Sequence, residues 1–411
     1  MNLPHVGEHE RFTRRHFLRL AATGAAAVGF DARATHAEAS ELAEAISKIE
    51  PLLTPQDQFR DVSRGKPLPH SLSERKRREV GLTRDTWRLE VIADPEHPVR
   101  LRQPLTKAAA LDFSGLMQLA EKHAVRFMKV MTCLNIGCPL GAGIFEGVPL
   151  REVIWRTEPR EDLRRVFYYG YHNDDPQQMF RSSLPIGRVL EDYHQLPPVI
   201  LCYKLNGQWL SPERGGPVRM VVPEAYGFKS IKWLTHVVLT NLPHANDTYA
   251  EAGNDIDSPL KSFAATLSVP REVKVGKPFP VTGYAQVGIS GVSKVQVWVQ
   301  PDSRELPMDD RYFAKAPWID AQILGAPKNW GGNLDWIPAK THGFDAEGRP
   351  LSWPMRLCKV HWAVVLPGLA EGKYTLRSRT IDENGHAQPM PRPFRKSGHA
   401  EIEEVKLTVK P

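Results

Sequence analysis

Cys133 is the residue of this sequence whose type and surroundings point most directly to chemistry. It follows the run 127–132, which predicts a β-strand, and precedes residues 134–147, which are rich in glycine, proline and small side chains and predict a loop. A cysteine at such a strand end has an exposed sulfur and backbone N–H groups nearby, conditions that favour thiolate chemistry or metal ligation. The alternative is a cysteine that is simply buried at the end of a strand.

The other three cysteines bear on whether Cys133 could belong to a zinc site or a disulfide. A zinc site would need two or more ligands beyond Cys133 and Cys138, and the sequence has no second cysteine pair or histidine cluster to supply them. A disulfide between these two cysteines stays open in an oxidising compartment. Cys202 lies inside an apolar strand and Cys358 before another, so both are expected to be packed core residues.

Basic residues and glycines form a second group between Arg214 and Lys232, beginning with Arg214-Gly-Gly-Pro-Val-Arg219. The two glycines let backbone amides approach an anion closely. Arg219 offers a two-pronged donor for phosphate, and a lysine offers a point charge. This set suits an oxidised sulfur anion or a phosphorylated cofactor, although charged residues among apolar ones are also typical of solvated strand faces.

Composition excludes several other classes of protein. The 411 residues are 41% hydrophobic and 25% charged, proportions typical of globular domains rather than of disordered or collagen-like chains. The length predicts two or three domains. Lysine and arginine number 54 against 47 acidic residues, a net charge of +7 that is not concentrated in long basic runs. Nucleic acid is therefore not expected as a partner.

The first 39 residues have the pattern of a targeting signal rather than of a structural element. Arg14 and Arg15 precede a short apolar segment at 20–30, and Ala37-Glu38-Ala39 follows as a small-residue cleavage pattern. Together these features predict a twin-arginine signal peptide and hence export to the periplasm of a folded, often cofactor-loaded chain. The alternative is an ordinary amphipathic helix. No segment of the remaining chain is apolar over a length that predicts a membrane span.

The remaining chain divides into two regions with different periodicities. Residues 40–240 predict mixed elements, followed by a turn-rich linker at 241–260: helices at 40–49, 111–123 and 149–156, an extended arm at 56–80, strands at 87–92, 127–132, 166–171 and 218–223, and a hairpin around Asn206-Gly207. Residues after 260 alternate with period two and predict a β-sandwich of immunoglobulin type, with an insertion at 302–358.

The run from Leu201 through Asn206-Gly207 and Arg214 to Lys232-Trp233 resembles the molybdopterin domain of the sulfite oxidase family, as do Cys133 and the later stretch Gly147-Val-Pro-Leu-Arg-Glu-Val. Residues 260–411 resemble the family's immunoglobulin-like domain. The resemblance implies an α+β fold with three parts: a signal peptide at 1–39, a sulfite-oxidase-type mixed α/β molybdopterin-binding catalytic domain at 40–245, and an immunoglobulin-like β-sandwich at 260–411 that forms a homodimer.

The same resemblance implies the cofactor and its contacts. Molybdenum is held by one pterin dithiolene and by the thiolate of Cys133, a soft ligand suited to a dithiolene-bound metal. The positions that match cofactor contacts of the family are Phe59, Arg60, Asp61, His172, Arg214, Arg219, Ser230, Ile231 and Lys232.

Two departures from the family pattern concern the substrate. Sulfite oxidases carry an active-site tyrosine shortly before a Ser-x-Pro turn, whereas this chain has Phe180 before Ser183-Leu-Pro185. The family's first-loop Arg-Asn is also missing at Arg60-Asp61. The predicted catalytic residues beside Cys133 are Arg181 and Tyr171, with Arg64 as a further residue able to compensate.

The predicted function is that of a periplasmic molybdopterin-dependent oxidoreductase. It transfers an oxygen atom on a small anionic substrate, a sulfur oxyanion such as sulfite. Because the sequence has no haem motif, electrons pass to a separate carrier such as a c-type cytochrome. One alternative is reduction of S-oxides, such as oxidised methionine, by the same cofactor. The other is a secreted binding protein with no metal and no enzymatic activity.

Overall fold

The computed structural model describes residues 36–193, 196–270, 272–304, 310, 312–398 and 400–411. The predicted export signal falls almost entirely on residues 1–35, outside the described residues. Within those ranges, no helix has both the length and the apolar character needed to cross a membrane.

Helices are few and short, and strands carry most of the fold. The described α-helices are α1 (His36–Ser47), α2 (Glu74–Glu79), α3 (Phe113–His123), α4 (Leu150–Trp155), α5 (Ile186–Leu190) and α6 (Thr248–Glu251). The strands before residue 241 are β1 (Arg88–Ala93), β2 (Leu111–Asp112), β3 (Val125–Thr132), β4 (Pro139–Pro149), β5 (Arg165–Gly170), β6 (Ser182–Pro185), β7 (Ile200–Leu205), β8 (Gln208–Trp209), β9 (Arg219–Val221) and β10 (Leu234–Thr240). Those after it are β11 (Phe263–Ser268), β12 (Glu272–Lys274), β13 (Phe279–Gln286), β14 (Lys294–Pro301), β15 (Ile319–Ile323), β16 (Thr341–His342), β17 (Lys359–Leu366), β18 (Gly372–Ile381) and β19 (Glu403–Lys410).

Two mixed sheets build the first region. One has the order β2-β1-β10-β5-β6, and the other has the order β16-β3-β4-β7-β8 with β9 paired to β7. Trp87 is fully buried beside the first sheet, where its indole N–H donates to the carbonyl oxygen of Leu234 at 2.7 Å. The apolar core around it fixes the strand ends that carry the loops described below.

The hairpin of β3 and β4 corrects one expectation. Residues 134–147 were expected to form a loop, but β4 begins at Pro139 and pairs with both β3 and β7. Its glycines are needed for packing rather than for turning, because a Cβ atom at Gly147 would collide with the backbone of Leu201, and one at Gly143 with the side chain of Leu205. Glycine lowers the strand signal of the sequence, so the pattern was misleading here.

The C-terminal region is rich in strands, as predicted. Its strands follow the path β11-β13-β17-β15-β14-β18-β19-β12, in which β15 pairs with both β14 and β17 and links two layers around one apolar core. This arrangement is compatible with the predicted immunoglobulin-like sandwich, and the α+β fold class is confirmed.

The predicted insertion at 302–358 contributes to both regions. Its β15 lies in the C-terminal sheets, whereas β16 pairs in parallel with β3. Trp330 packs in one apolar cluster with Val130 and Ile144 of the first region. The predicted linker at 241–260 likewise contains α6 and the buried Tyr249, so it is not a simple connection.

Candidate cofactor and active site

A cavity of about 300 Å³ opens where the loops of the first region converge. Cys133 lies in its wall at the C-terminal end of β3. The lining residues come from the segments 59–65, 131–145, 170–180, 205–219 and 227–233, together with Tyr249. The cavity therefore gathers side chains from along most of the first region.

The turn after β3 presents Cys133 to this cavity. The amide N–H of Gly137 donates to the Cys133 carbonyl oxygen at 3.1 Å, and Gly137 has a φ of 71°, which glycine adopts without strain. Cys133 is partly exposed and Cys138 also, and all four cysteines are free thiols, so the disulfide that stayed open in the sequence is not formed. Burial raises the pKa of Cys202 and of Cys358 to about 12, as expected of core cysteines.

Arg214 and Arg219 enter the cavity with unmet hydrogen-bonding capacity. Arg219 donates to the carbonyl oxygens of Arg214 at 2.9 Å and Ser230 at 2.5 Å, and Arg214 donates to the carbonyl oxygen of Phe59 at 2.8 Å. The Nε–H group of each arginine is buried and has no partner among the described residues. Burial, together with the neighbouring charge of Arg214, lowers the pKa of Arg219 to about 10. A bound anion would satisfy these donors.

Lys232 adds a third cation, held by an acidic partner. Its Nζ donates to Asp61 Oδ1 at 2.8 Å, to Ser63 Oγ at 2.6 Å and to the Glu213 carbonyl oxygen at 2.5 Å. Burial lowers the pKa of Lys232 to about 8. For Asp61, burial would raise the pKa, but the hydrogen bonds from Lys232 and Ser63 outweigh it and lower the pKa to about 2.

Gly215 allows the chain to bring Arg214 and Lys232 together. It ends the short 3₁₀ turn Pro212–Arg214 with a φ of 94°, and a Cβ atom there would collide with the side chain of Lys232. Only glycine fits both requirements. The close approach at Gly215 is to the Lys232 side chain, and the predicted approach of backbone amides to an anion stays a prediction.

The residues present fit an anionic cofactor that carries its own metal. The unpartnered Nε–H groups of Arg214 and Arg219 suit a phosphate, and the sulfur of Cys133 suits a soft metal. The described residues contain no cluster of three or more His, Cys, Asp or Glu, so Cys133 would be joined by ligands from the cofactor itself. The fold and the cavity thus define a protein that binds a phosphorylated, metal-bearing organic cofactor.

Comparison with known proteins identifies one domain of this chain. Residues 78–248 match the oxidoreductase molybdopterin binding domain. The chain is 26% identical over 168 residues to the NADPH nitrate reductase of Fusarium oxysporum and 31% identical over 128 residues to that of Leptosphaeria maculans. These matches cover 39% and 31% of this chain but only 18% and 13% of the two relatives. The chain therefore spans less than a fifth of the length of these relatives.

A solved structure supports the fold. The sulfane dehydrogenase SoxCD from Paracoccus pantotrophus superposes with a TM-score of 0.54 at 16% identity, over 80% of this chain and 77% of that one. Residues 78–248 are thus similar to a molybdopterin-binding oxidoreductase domain, and the likeness to SoxCD shows the fold. The predicted resemblance, the enzyme class and the molybdenum–molybdopterin cofactor are confirmed, and these findings speak against the alternative of a non-enzymatic binding protein.

The structure brings most predicted site residues to the cavity. Those in its lining are Cys133, Tyr171, Phe59, Arg60, His172, Arg214, Arg219, Ser230, Ile231 and Lys232, while Asp61 lies beside it as the partner of Lys232. Arg181 is not in the lining. Its guanidinium donates to the Asn246 carbonyl oxygen at 2.8 Å and lies over the ring of Phe167 at 4.8 Å, so the structure does not bring Arg181 together with the other predicted site residues.

Sequence reasoning did not select Tyr249, Phe228 or Asn135, although all three line the cavity. The one local signal for Tyr249 is Asp247, a residue type favoured at helix starts, which accepts from the amides of Tyr249 and Ala250 at 3.1 Å. Burial raises the pKa of Tyr249, while hydrogen bonding with Asn135 and Arg64 opposes that rise. Its ring belongs to an apolar cluster, while its hydroxyl lies near the side chains of Asn135 and Arg64.

Proposed function

We propose that this chain is a periplasmic molybdenum enzyme that catalyses oxygen-atom transfer on a small sulfur oxyanion such as sulfite, and that it passes the electrons to a separate c-type cytochrome. The observation that carries the proposal is the presence in one cavity of the Cys133 sulfur and the unpartnered Nε–H groups of Arg214 and Arg219. A soft ligand beside buried anion donors suits a cofactor that carries both a soft metal and a phosphate.

Each of these residues has a distinct role in the proposal. Cys133 ligates the metal and fixes its position at the end of a rigid strand. Arg214, Arg219 and Lys232 hold the phosphate of the pterin. The bound molybdenum cofactor supplies two-electron redox chemistry, and the protein supplies position, charge and exclusion of water.

The entrance of the cavity supports an anionic substrate. Arg60 and Arg64 both line it, and neither has a carboxylate within ion-pair distance among the described residues. Two guanidinium groups at the mouth attract a divalent anion and orient it toward Cys133. The relative SoxCD is by name a sulfane dehydrogenase, which is consistent with sulfur chemistry in this fold.

Reduction of S-oxides is the second candidate function. Val62 and Ile136 line the same cavity, and they remain 37% and 40% exposed at its rim. An apolar rim favours an organic substrate, such as a methionine sulfoxide side chain, over a bare oxyanion. The same cofactor and the same Cys133 ligand would serve this reaction.

The proposal also covers export of the chain, its domain bounds and its assembly into a homodimer. The twin-arginine pattern at residues 14–15 supports export to the periplasm. The proposed parts are the signal peptide at 1–39, the catalytic domain at 40–245 and the dimerisation domain at 260–411, the last of which would form a homodimer.

Metal analysis of the full chain, expressed with its signal in a host that makes the molybdenum cofactor, tests the proposal. About one molybdenum per chain is expected, together with sulfite-dependent reduction of ferricyanide. The reverse assay uses methionine sulfoxide with reduced viologen as the electron donor. Molybdenum with activity only in the reverse direction would establish the second candidate, and a metal-free chain would refute both.

A further inference from the structure

Thr132, the residue before Cys133, connects the wall of the cavity to the C-terminal region. It is the last residue of β3, and successive side chains of a strand point to opposite faces. Met131 and Cys133 accordingly line the cavity, whereas the side chain of Thr132 is fully buried outside its lining. Any group that holds the Thr132 side chain therefore also holds the backbone from which Cys133 projects.

The group that holds Thr132 belongs to the C-terminal region. The Thr132 hydroxyl donates to Oε1 of Gln286, which is the last residue of β13. The orientation of the Gln286 amide is fixed, because its Nε2 donates to the carbonyl oxygen of Lys261 at 2.7 Å and its side chain is fully buried. The amide oxygen of Gln286 is thus directed at the strand end that carries Cys133.

The pairing of β3 with β4 does not by itself fix this strand end. The register shifts between Met131 and Thr132, so that Met131 pairs with Gly141 but Thr132 pairs with Pro139. Such an irregularity changes the direction of the side chains that follow it, and proline has no N–H to donate to the neighbouring strand. A further contact is therefore needed to give Cys133 a single orientation.

A second connection joins β3 to the same part of the C-terminal region. The Val130 amide donates to the Leu357 carbonyl oxygen at 2.7 Å, and the Leu357 amide donates to the Val287 carbonyl oxygen at 2.8 Å. Val287 directly follows Gln286 in the chain. The end of β13 thus contacts β3 both through its backbone and through the Gln286 side chain.

We propose that Gln286 is a positioning residue for the metal site, and that its hydrogen bond with Thr132 fixes the direction in which Cys133 presents its sulfur to the cofactor. This inference rests on the proposed function, in which Cys133 ligates the metal, and it extends the metal site to a residue of the C-terminal region. Contacts that orient a metal ligand from behind influence how strongly the metal is held.

Four variants of the full chain test this role. Gln286→Leu and Thr132→Val remove the same hydrogen bond from its two ends, whereas Thr132→Ser keeps the hydroxyl. Gln388→Leu is the matched control, because it removes an equally buried glutamine amide within the C-terminal sheets. The Oε1 atom of Gln388 accepts from the amides of Ala264 at 3.0 Å and Thr380 at 3.1 Å, away from the cavity.

Three measurements report on Cys133 rather than on overall stability. In the cofactor-free chain, peptide mass spectrometry compares the rate of N-ethylmaleimide modification at Cys133 with the rate at Cys138. In the molybdenum-loaded chain, electron paramagnetic resonance of the partly reduced metal reports on the geometry of its sulfur ligand. Metal analysis during dialysis gives the rate at which molybdenum is lost.

Gln286→Leu and Thr132→Val are expected to raise the ratio of Cys133 to Cys138 modification at least about threefold, because a strand end without this hydrogen bond opens locally more often. Both variants should also show an altered resonance spectrum and lose molybdenum about ten- to a hundredfold faster than the wild type. Thr132→Ser and Gln388→Leu should match the wild type in all three measurements.

An unchanged modification ratio and an unchanged spectrum in Gln286→Leu and Thr132→Val would refute the role of Gln286. Equal changes in Gln388→Leu would refute it as well, because the effect would then come from a general loss of stability. If Gln286→Leu does not fold, the difference between Thr132→Val and Thr132→Ser decides. A wild-type chain without molybdenum would instead refute the proposed function, and the modification ratios of the cofactor-free chain would still decide whether Gln286 positions Cys133.

Discussion

Two regions of this molecule each bury a pair of arginines, and the two pairs differ in their hydrogen-bond partners. In the C-terminal sheets, Arg377 Nε donates to Glu404 at 2.9 Å and Arg379 Nε donates to Gln296 at 2.9 Å. Tryptophan rings cover both guanidinium groups, with Arg379 lying 4.1 Å from the ring centroid of Trp318. These cations are satisfied within the protein.

The pair in the cavity is buried to the same degree, but each of its guanidinium groups keeps one N–H group without a partner among the described residues. Arg214 and Arg219 are 4% and 6% exposed, and Arg377 and Arg379 are each 4% exposed. Burial lowers the pKa of Arg219 and that of Arg379 to about 10 alike. Of these four side chains, Arg214 and Arg219 have an Nε–H group without a partner among the described residues, whereas Arg377 and Arg379 do not. Neither burial nor pKa distinguishes a binding site from a structural pair here, whereas the hydrogen-bond partners do.

The largest expected effect on the cavity comes from replacing Cys133, the predicted metal ligand. Cys133→Ser removes the soft ligand, so we expect loss of molybdenum and a fall in activity of at least about a thousandfold, equivalent to several kcal/mol of transition-state stabilisation. Metal analysis and turnover measure both. Cys138→Ser is the control, since Cys138 is also partly exposed but lies outside the cavity lining. A Cys133→Ser protein with full metal content and full turnover would contradict the assignment.

Cysteine alkylation distinguishes the cavity from the core without any substitution. In cofactor-free protein at pH 8, we expect N-ethylmaleimide to modify Cys133 and Cys138 while Cys202 and Cys358 react at least about a hundredfold more slowly, because burial raises the pKa of these two thiols to about 12. Loading with cofactor should protect Cys133 alone. Peptide mass spectrometry reads out each site, and equal labelling of Cys133 with and without cofactor would count against ligation.

Exchanging one arginine of each pair for methionine tests whether one pair binds the cofactor and the other stabilises the fold. Arg219→Met is expected to weaken cofactor retention about ten- to a hundredfold, because charge-assisted hydrogen bonds to the phosphate are lost. Arg379→Met should retain molybdenum and instead lower the free energy of unfolding by about 1–3 kcal/mol, since Gln296 loses its donor. Molybdenum content after dialysis and urea unfolding separate the two results. Equal cofactor loss in both variants would contradict the distinction between a cofactor-binding arginine pair and a structural one.

Local sequence patterns predicted those parts of the site that lie close together in the chain. The Arg214–Lys232 run was identified because its glycines and cations are neighbours in sequence, and the hairpin at Asn206-Gly207 forms as predicted, with both residues at positive φ. Periodicity likewise predicted β3 and hence the position of Cys133. These features depend on interactions within a few residues, which a single sequence encodes directly.

The parts that were missed depend on contacts between distant segments. Nothing local to Tyr249 signals that its ring meets Phe180, and nothing local to Arg181 signals that its guanidinium turns to Asn246 instead of the cavity. The strand β4 was hidden because Gly143 and Gly147 serve the packing of β7. In each case the partner that decides the conformation lies far along the chain, so the pattern around the residue carries no trace of it.

The smallest expected effect concerns two lysine–aspartate pairs. Lys232 pairs with Asp61 in the cavity and is 17% exposed, whereas Lys406 pairs with Asp302 at the surface and is 68% exposed. Burial lowers the pKa of Lys232 to about 8, below its ordinary value of 10.5. Between these two pH values the unfolded chain holds a proton that the folded chain has released, so stability rises with pH in that window.

Lys232→Met removes this dependence. In cofactor-free protein, the free energy of unfolding of the wild type relative to Lys232→Met should therefore increase by about 1 kcal/mol between pH 7 and pH 10, as measured by urea unfolding. Lys406→Met is the matched control, and its pH dependence should run parallel to that of the wild type because a surface pair contributes little. Parallel curves for Lys232→Met as well would mean that the cavity solvates its ammonium group as water does, and the contrast between the two regions would then rest on the arginines alone.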